Sequence, residues 1–343
     1  MKSKRAGIDN TNYAENRRET FGKRVVRFIL RVMISVLVVA VLSVAALLTA
    51  VWAITKGPSP TAQSLFVNTV METNSYGFLA GIFLSEEEVD SIMNPPGLVA
   101  ADTSAQTDSS LITIKPPETQ IQLEEISGSN YKGYILIVDD PTRVFVATPG
   151  SFGGSGFTVA EHIIRSIAYA GINGGGFIST QGRDIPEGIV LSDGVFTQGG
   201  ESDKSCVVGF DKQGILHIGN FSFDETQAIG ISEAVTYSPA LIINGVPQNL
   251  PPSGLIPRTA IGQRADGTVL MLVIDGWRFD SAGATLSDIT DILLDYGAVN
   301  AGNLTGGSSS QMNLNGDEVN RGPQFLQPRR MPTAFLIRRA DNE

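Results

Sequence analysis

The sequence predicts an α+β (mixed α/β) extracellular domain preceded by one N-terminal transmembrane helix. Three observations lead there. A single long uncharged run follows a basic leader, residues 32–55 after Arg31. Strand-like and helix-like segments then mix without a regular βαβ repeat. The apolar fraction of 42% over 343 residues is ample for a large core.

The first 31 residues carry nine of the 25 lysines and arginines, while the whole chain has a formal charge of −10. The outer part is therefore strongly acidic, which excludes nucleic acid as a partner because a phosphate backbone needs a basic face. The run "VMISVLVVAVLSVAALLTAVWAIT" has 24 residues without a charge. That exceeds the ~20 needed to cross a hydrocarbon core of ~30 Å. It is too long for a signal-peptide apolar region, and no small-x-small cleavage site follows, so it reads as a retained anchor. A buried core helix would not be apolar on every face beside nine basic residues. The basic flank places residues 1–31 in the cytoplasm, residues 32–55 in the membrane and everything from Lys56 outside.

Residues 56–125 read as a linker or stalk. "KGPSPTAQS" is an exit linker, and in "FLSEEEVDSIM" Ser85 and Glu88 have capping-box spacing ahead of a short acidic helix. From Asn94 to about Glu125 the composition of Pro, Ser, Thr and Asp fits a solvated spacer. The compact domain is expected over 126–343. "YKGYILIVDDPTRVFVAT" reads as two strands joined at a polar turn, Asp139 to Thr142. "TVAEHIIRSIAYAG" reads as a helix capped by Thr158 and Glu161 and stopped by Gly171, with Val159, Ile163, Ile167 and Ala170 as its apolar stripe. His162 falls off that stripe and is expected to be partly exposed. Asn244-Gly245 marks a hairpin. "GTVLMLVIDGW" reads as a buried strand with Asp275 at its tip. "TLSDITDILLDYG" is a helix from Thr285 and Asp288 to Gly297, and "AVNAGNL" and "PTAFLIRR" are strands.

Composition limits the chemistry. Cys206 is the only cysteine, so no intramolecular disulfide forms, and His162 and His217 are the only histidines. A Cys/His metal site is nearly excluded, and neither histidine lies near a G-x-S-x-G motif. Four segments share one composition, glycine or asparagine at the end of an apolar run beside a polar group: "GINGGGF" (171–177), "IPRTAIG" (256–262), "VIDGW" (273–277) and "NLTGGSSS" (303–310). Glycine there permits close backbone approach or positive φ, and exposed amides bind anionic oxygens. None is a P-loop or a dinucleotide fingerprint. Singly each is an ordinary turn; together they point to one pocket. Arg258, at the front of an apolar strand, is either a phosphate fork or a salt bridge pinning the strand end.

These segments, with "IPEGIVLSDG", "SPALIINGVP", "VNRG" and "RRMPTAFLI", follow in an order that resembles the phosphodiester glycosidase family, the N-acetylglucosamine-1-phosphodiester alpha-N-acetylglucosaminidase-like domain. The resemblance covers roughly residues 127–339, and the anchor with its "FLSEEEV" segment looks like Gram-positive bacterial members. It implies a hydrolase that cleaves the bond between an anomeric sugar carbon and a phosphodiester, in surface or exopolysaccharide glycans. A phosphate diester leaves well without protonation, so the site must neutralise phosphate and stabilise an oxocarbenium-like centre. The resemblance suggests Arg258 and the Gly306, Gly307, Ser308 and Ser309 segment for the phosphate and Asp275 as the carboxylate facing the sugar. Asn173, with Gly175 and Asn303 beside it, is suggested for a sugar hydroxyl or acetamido group, and Glu187 as a reserve acid/base. The family's loop usually reads Asn-Leu-Asp-Gly-Gly, and here Thr305 stands where that aspartate stands. Threonine keeps a hydroxyl but loses a charge, a base and a metal ligand, so a catalytically impaired glycan or phospho-glycan binding protein is the alternative. No metal or cofactor is expected, calcium being the divalent ion best suited to such oxygen ligands. A plain stalk protein would explain the linker but not the four glycine-rich strand ends.

Overall fold

The computed structural model describes residues 10–73, 76–96, 104–116, 120–198, 204–322 and 327–340. Residues 1–9 of the expected cytoplasmic tail and parts of the expected spacer, 97–103 and 117–119, lie outside them. The chain divides into two compact units, Met1–Gln63 and Ser64–Glu343. The first is built on helix α1 (Asn10–Thr55), whose stretch Lys23–Thr55 is long and apolar enough to cross a membrane.

The second unit is a three-sheet sandwich. One sheet has seven antiparallel strands in the order β1 (Ile121–Ser127), β2 (Lys132–Val138), β15 (Val269–Ile274), β14 (Arg258–Arg264), β16 (Ala298–Leu304), β12 (Ala240–Ile243) and β13 (Val246–Pro247). A second orders β10 (Leu216–Phe221), β9 (Ser205–Asp211), β11 (Ile231–Thr236), β7 (Val190–Ser192) and β8 (Val195–Gln198). A third orders β18 (Asp317–Glu318), β17 (Met312–Leu314), β4 (Ala168–Asn173), β19 (Ala334–Arg338) and β3 (Val144–Ala147). A small hairpin of β5 (Phe177–Thr180) and β6 (Arg183–Pro186) stands apart.

All three sheets turn one face into a common core, where Leu136, Met271 and Ile261 meet Val208, Phe210 and Ile218 of the second sheet and Ile172, Met312 and Phe335 of the third. Each outer face is covered by one helix. Ile289 and Leu293 of α6 (Leu286–Asp295) pack on Leu270 and Leu272, Val159 and Ile163 of α4 (Val159–Ser166) on Ala334 and Leu336, and Phe223 of α5 (Phe223–Ile229) beside Phe221 and Ile231. Each helix starts at a capping box, Thr158 with Glu161, Ser222 with Glu225 and Thr285 with Asp288.

Several expectations are corrected. The compact unit begins at Ser64 rather than near Ile126. Helix α2 (Pro60–Met71) and α3 (Glu86–Met93) form a small cluster of their own through Val67, Val70, Ala80 and Leu84. Residues 104–115 are no solvated spacer but a strap. Gln106 bridges Gly219, the Thr113 amide donates to the Ala265 carbonyl at 2.8 Å, and Asn244 holds the strap by donating to the Gln106 carbonyl and accepting from the Asp108 amide. Helix α4 stops at Ser166 with Ile167 at φ 52°, and "AYAGIN" is strand β4 because its alternate residues complete the third sheet. Ile167 is accordingly exposed, and Ala170 belongs to the strand. His162 is buried, its Nε2 3.0 Å from the Met331 carbonyl and its ring edge-on to Phe157. Strands β2 and β3 flank the expected turn but enter different sheets.

Glu233 ties two sheets together. Its buried carboxylate accepts the Val146 amide of β3 at 2.7 Å and the Asp193 amide of the β7–β8 turn at 3.1 Å. Burial pushes its pKa up to about 7 against these bonds. A carboxyl whose pKa is raised by folding contributes stability below its unfolded value, and that contribution is lost as pH rises through about 7. Thermal unfolding of the second unit should therefore show a loss of Tm between about pH 4.5 and 7, and Glu233→Gln should flatten that slope.

Candidate active site

The four glycine-bearing segments end up at one rim. β14 runs antiparallel to both neighbours, so its first residues face the last ones of β15 and β16: Arg258 pairs with Ile274 and Thr259 with Leu304. β4 arrives from another sheet, and hydrogen bonds join it. The Thr305 amide donates to the Gly174 carbonyl at 3.2 Å, and Thr305 Oγ1 donates to the Gly175 carbonyl. Asn173, fully buried, donates Nδ2 to the Thr305 carbonyl at 2.6 Å while its Oδ1 accepts Thr259 Oγ1 at 2.8 Å and the Gln311 amide at 3.1 Å. The Gly175 amide in turn donates to Thr333 Oγ1. Asn173 thus fixes the loop instead of offering its amide to solvent.

Beyond Thr305 the backbone makes a short 3-10 turn, Gly307–Ser309. Gly307 donates its amide to the Pro257 carbonyl at 2.7 Å and sits at φ 64°, with a Cβ there only 3.1 Å from the Trp277 ring. Both the dihedral and the ring select glycine. Gly306 and Ser308 are partly exposed, and their amides find no acceptor among the described residues. The hydroxyls of Ser309 and Ser310 and Oδ1 of Asn303 are buried without a partner there, while Asn303 Nδ2 donates to the Ser238 carbonyl. Such a turn, with free amides and hydroxyls, can hold an anionic oxygen.

Asp275 flanks this loop. Its Oδ1 accepts the Arg321 amide at 2.9 Å and lies 3.5 Å from Asn320 Nδ2, which also donates to the Ser310 carbonyl. Burial pushes the carboxyl up to about 6, against the pull of these donors. Arg258 turns the other way. With Ile274 it faces the α6 side of the sheet, where its Nε donates to the Ala284 carbonyl at 3.0 Å and Nη2 to the Gly254 carbonyl and to Glu72 Oε2 at 2.7 Å. Glu72 Oε1 also accepts the Gly254 amide. Arg258 and Asp275 therefore share one end of the sheet but opposite faces of it. Burial lowers the guanidinium pKa, and Glu72 opposes the shift.

Tyr237 stands beside Glu187 at Gly176. Its phenol pKa is raised by burial and responds to the charges of Arg258, Glu72 and Glu187. Glu187 is exposed, its Oε2 only 2.5 Å from where a Cβ on Gly176 would stand, with the Tyr237 ring 3.0 Å from the same point. The histidines lie in structural contacts: His217 Nε2 is 2.9 Å from Asp211 Oδ2, and His162 is described above. Among the described residues no three His, Cys, Asp or Glu side chains gather as metal ligands.

The residues that sequence reasoning missed are Glu72, Trp277, Tyr237, Asn320, Arg321 and Thr333. Asn320 and Arg321 lie in "VNRG" and Tyr237 in "TYSPALIING", but no local pattern marks them; only the fold brings them to the rim. Because Asn173 satisfies three buried groups at once, Asn173→Ala should lower unfolding free energy by about 2–4 kcal/mol, measured by urea denaturation, whereas Glu187→Ala, at the exposed edge, should leave it within about 0.5 kcal/mol.

Comparison with known proteins agrees with the geometry. The sequence is 30% identical over 194 residues to the SPbeta prophage-derived uncharacterized protein YomE of Bacillus subtilis (strain 168), spanning 53% of this chain and 29% of that protein. It is 27% identical over 228 residues to mouse N-acetylglucosamine-1-phosphodiester alpha-N-acetylglucosaminidase, spanning 57% of this chain and 42% of the mouse protein. The chain thus spans less than half the length of either relative. The catalytic domain of the zebrafish enzyme of the same name superposes with a TM-score of 0.55 at 23% identity, over 71% of this chain and 89% of that one, which shows a shared fold. The sequence profile of the phosphodiester glycosidase family matches residues 166–338, half of the chain and all four glycine-bearing segments, and the protein belongs to that family.

Proposed function

We propose that this chain is a membrane-anchored hydrolase that cuts the bond between an anomeric sugar carbon and a phosphodiester in surface or exopolysaccharide glycans. The observation that carries the reading is the Thr305–Ser310 turn: the Gly306 and Ser308 amides have no acceptor among the described residues, and the Asp275 carboxyl lies beside the turn at the same rim. The helix Lys23–Thr55, behind its basic leader, supports an anchor with the catalytic unit outside the cell.

In this reading the Gly306 and Ser308 amides receive the phosphate oxygens, and their fixed orientation neutralises charge as the C–O bond breaks. Arg258, on the other face of the sheet and paired with Glu72, pins the strand end beneath the turn instead of meeting the phosphate. Asp275, ionised, faces the electron-poor anomeric centre and takes the proton of the attacking water, while the phosphate leaves with the bonding electron pair. Glu187 and Tyr237 close the exposed side of the cup.

A second reading rests on Thr305. Its hydroxyl is committed to the Gly175 carbonyl, and no carboxylate stands at that place. A protein so built holds the phospho-glycan without turning it over.

The full-length protein in detergent, given a sugar-1-phosphodiester, should release free sugar and phosphomonoester. The rate should fall as pH drops through about 6, where Asp275 takes up its proton, and Asp275→Asn should lose at least ~100-fold in kcat. No turnover by the natural chain together with turnover by Thr305→Asp would establish the binding protein instead. Absence of both turnover and binding would sink both readings.

A further inference from the structure

Among the described residues of the second unit, the most exposed large apolar side chain is Phe279, at 102% of its reference accessibility. A lone exposed apolar residue ordinarily needs no explanation. The backbone that carries this one is different, because it is clamped from both sides. Arg278 and Ser281 exchange backbone hydrogen bonds across a tight turn with Phe279 and Asp280 at its tip, and the Trp277 amide donates to the Ala282 carbonyl. Buried Ser281 donates Oγ to the Asp275 carbonyl at 2.6 Å and accepts the Lys132 amide at 3.0 Å. The Ala282 and Gly283 amides both reach the Asn130 carbonyl. Asp280 is flanked by Lys132 at 3.1 Å and by Arg278 at 3.1 Å. A bare ring is therefore presented on a hairpin with little freedom left to fold it away.

The root of that hairpin belongs to the rim described above. Asp275 starts it, Trp277 covers Gly307, and Phe279 follows two residues later, within about 7 Å along the chain. We propose that Phe279 is a stacking platform for a second saccharide unit of the substrate, beyond the sugar whose anomeric bond is attacked. This inference rests on the glycan-phosphodiester reading of the site. The chemistry is that of a pyranose: the C–H face lies on the aromatic ring, while its hydroxyls meet the alternating charges of Arg278, Asp280 and Lys132 around it. An acyl chain would gain from the ring but would have to desolvate those three charges, so a saccharide is the occupant that uses the whole tip. A rigid platform also loses little conformational entropy on binding.

The test compares a monosaccharide-1-phosphodiester with a phosphodiester-linked oligosaccharide on the full-length protein, by kinetics and by calorimetric binding. Phe279→Ala should raise KM and Kd for the oligosaccharide by roughly three- to tenfold, leave kcat and the monosaccharide values unchanged, and be rescued by Phe279→Trp. Equal values for natural and Phe279→Ala protein on the oligosaccharide would overturn the platform while hydrolysis itself stands. Binding that weakens in Phe279→Ala without any turnover would support the platform and fail only the catalytic reading. A loss on both substrates alike would also overturn the platform, since it marks damage to the rim and not a second unit.

Discussion

A buried amide must be satisfied, and the way Asn173 is satisfied governs this fold's working end. It stands at the last residue of β4 in one sheet and binds Thr259 of β14 in another, the Thr305 carbonyl just past β16, and the Gln311 amide ahead of β17. Apolar contact alone presses the three sheets onto a common core but tolerates small slips between them. Hydrogen bonds at one fully enclosed side chain do not, because a slip strands a donor or acceptor away from water. The glycine turn at 305–310 inherits its position from that single group.

Much of the fold was readable in the residues. Capping boxes at Thr158, Ser85 and Thr285 start helices as their spacing requires, Asn244-Gly245 turns a hairpin, and the unbroken apolar run before Asp275 is a strand buried on both faces. The failures have physical causes. "SIAYAG" continues a helical pattern by local preference, yet a central place between β17 and β19 is worth more to it than one further turn of α4. The strap at 104–115 has little periodicity because its partners are backbone groups of distant loops, and such pairing leaves no trace in a sequence pattern. For the candidate site, strand ends and glycine clusters were legible, whereas Tyr237, Asn320 and Arg321 are brought in by topology from segments with no signal of their own.

Electrostatics divides the rim into two halves. On the α6 side a cation, Arg258, is already matched by Glu72, just past helix α2. On the other face Asp275 is buried among hydrogen-bond donors, with its proton affinity raised toward neutrality. Thr305, with no charge, leaves the centre of the rim neutral where a relative with aspartate would be anionic.

The Asn244-Gly245 turn has a bearing on how the molecule ages. Asparagine followed by glycine is prone to cyclise when the glycine nitrogen swings onto the side-chain carbonyl carbon, converting the residue to aspartate. Here the Gly245 nitrogen is bonded to the Val299 carbonyl at 2.7 Å, and the Asn244 amide is held by Gln106 and Asp108. The contacts that fasten the strap therefore also immobilise the reacting atoms, so the protein's chemical lifetime and the seating of its strap are set by the same few bonds.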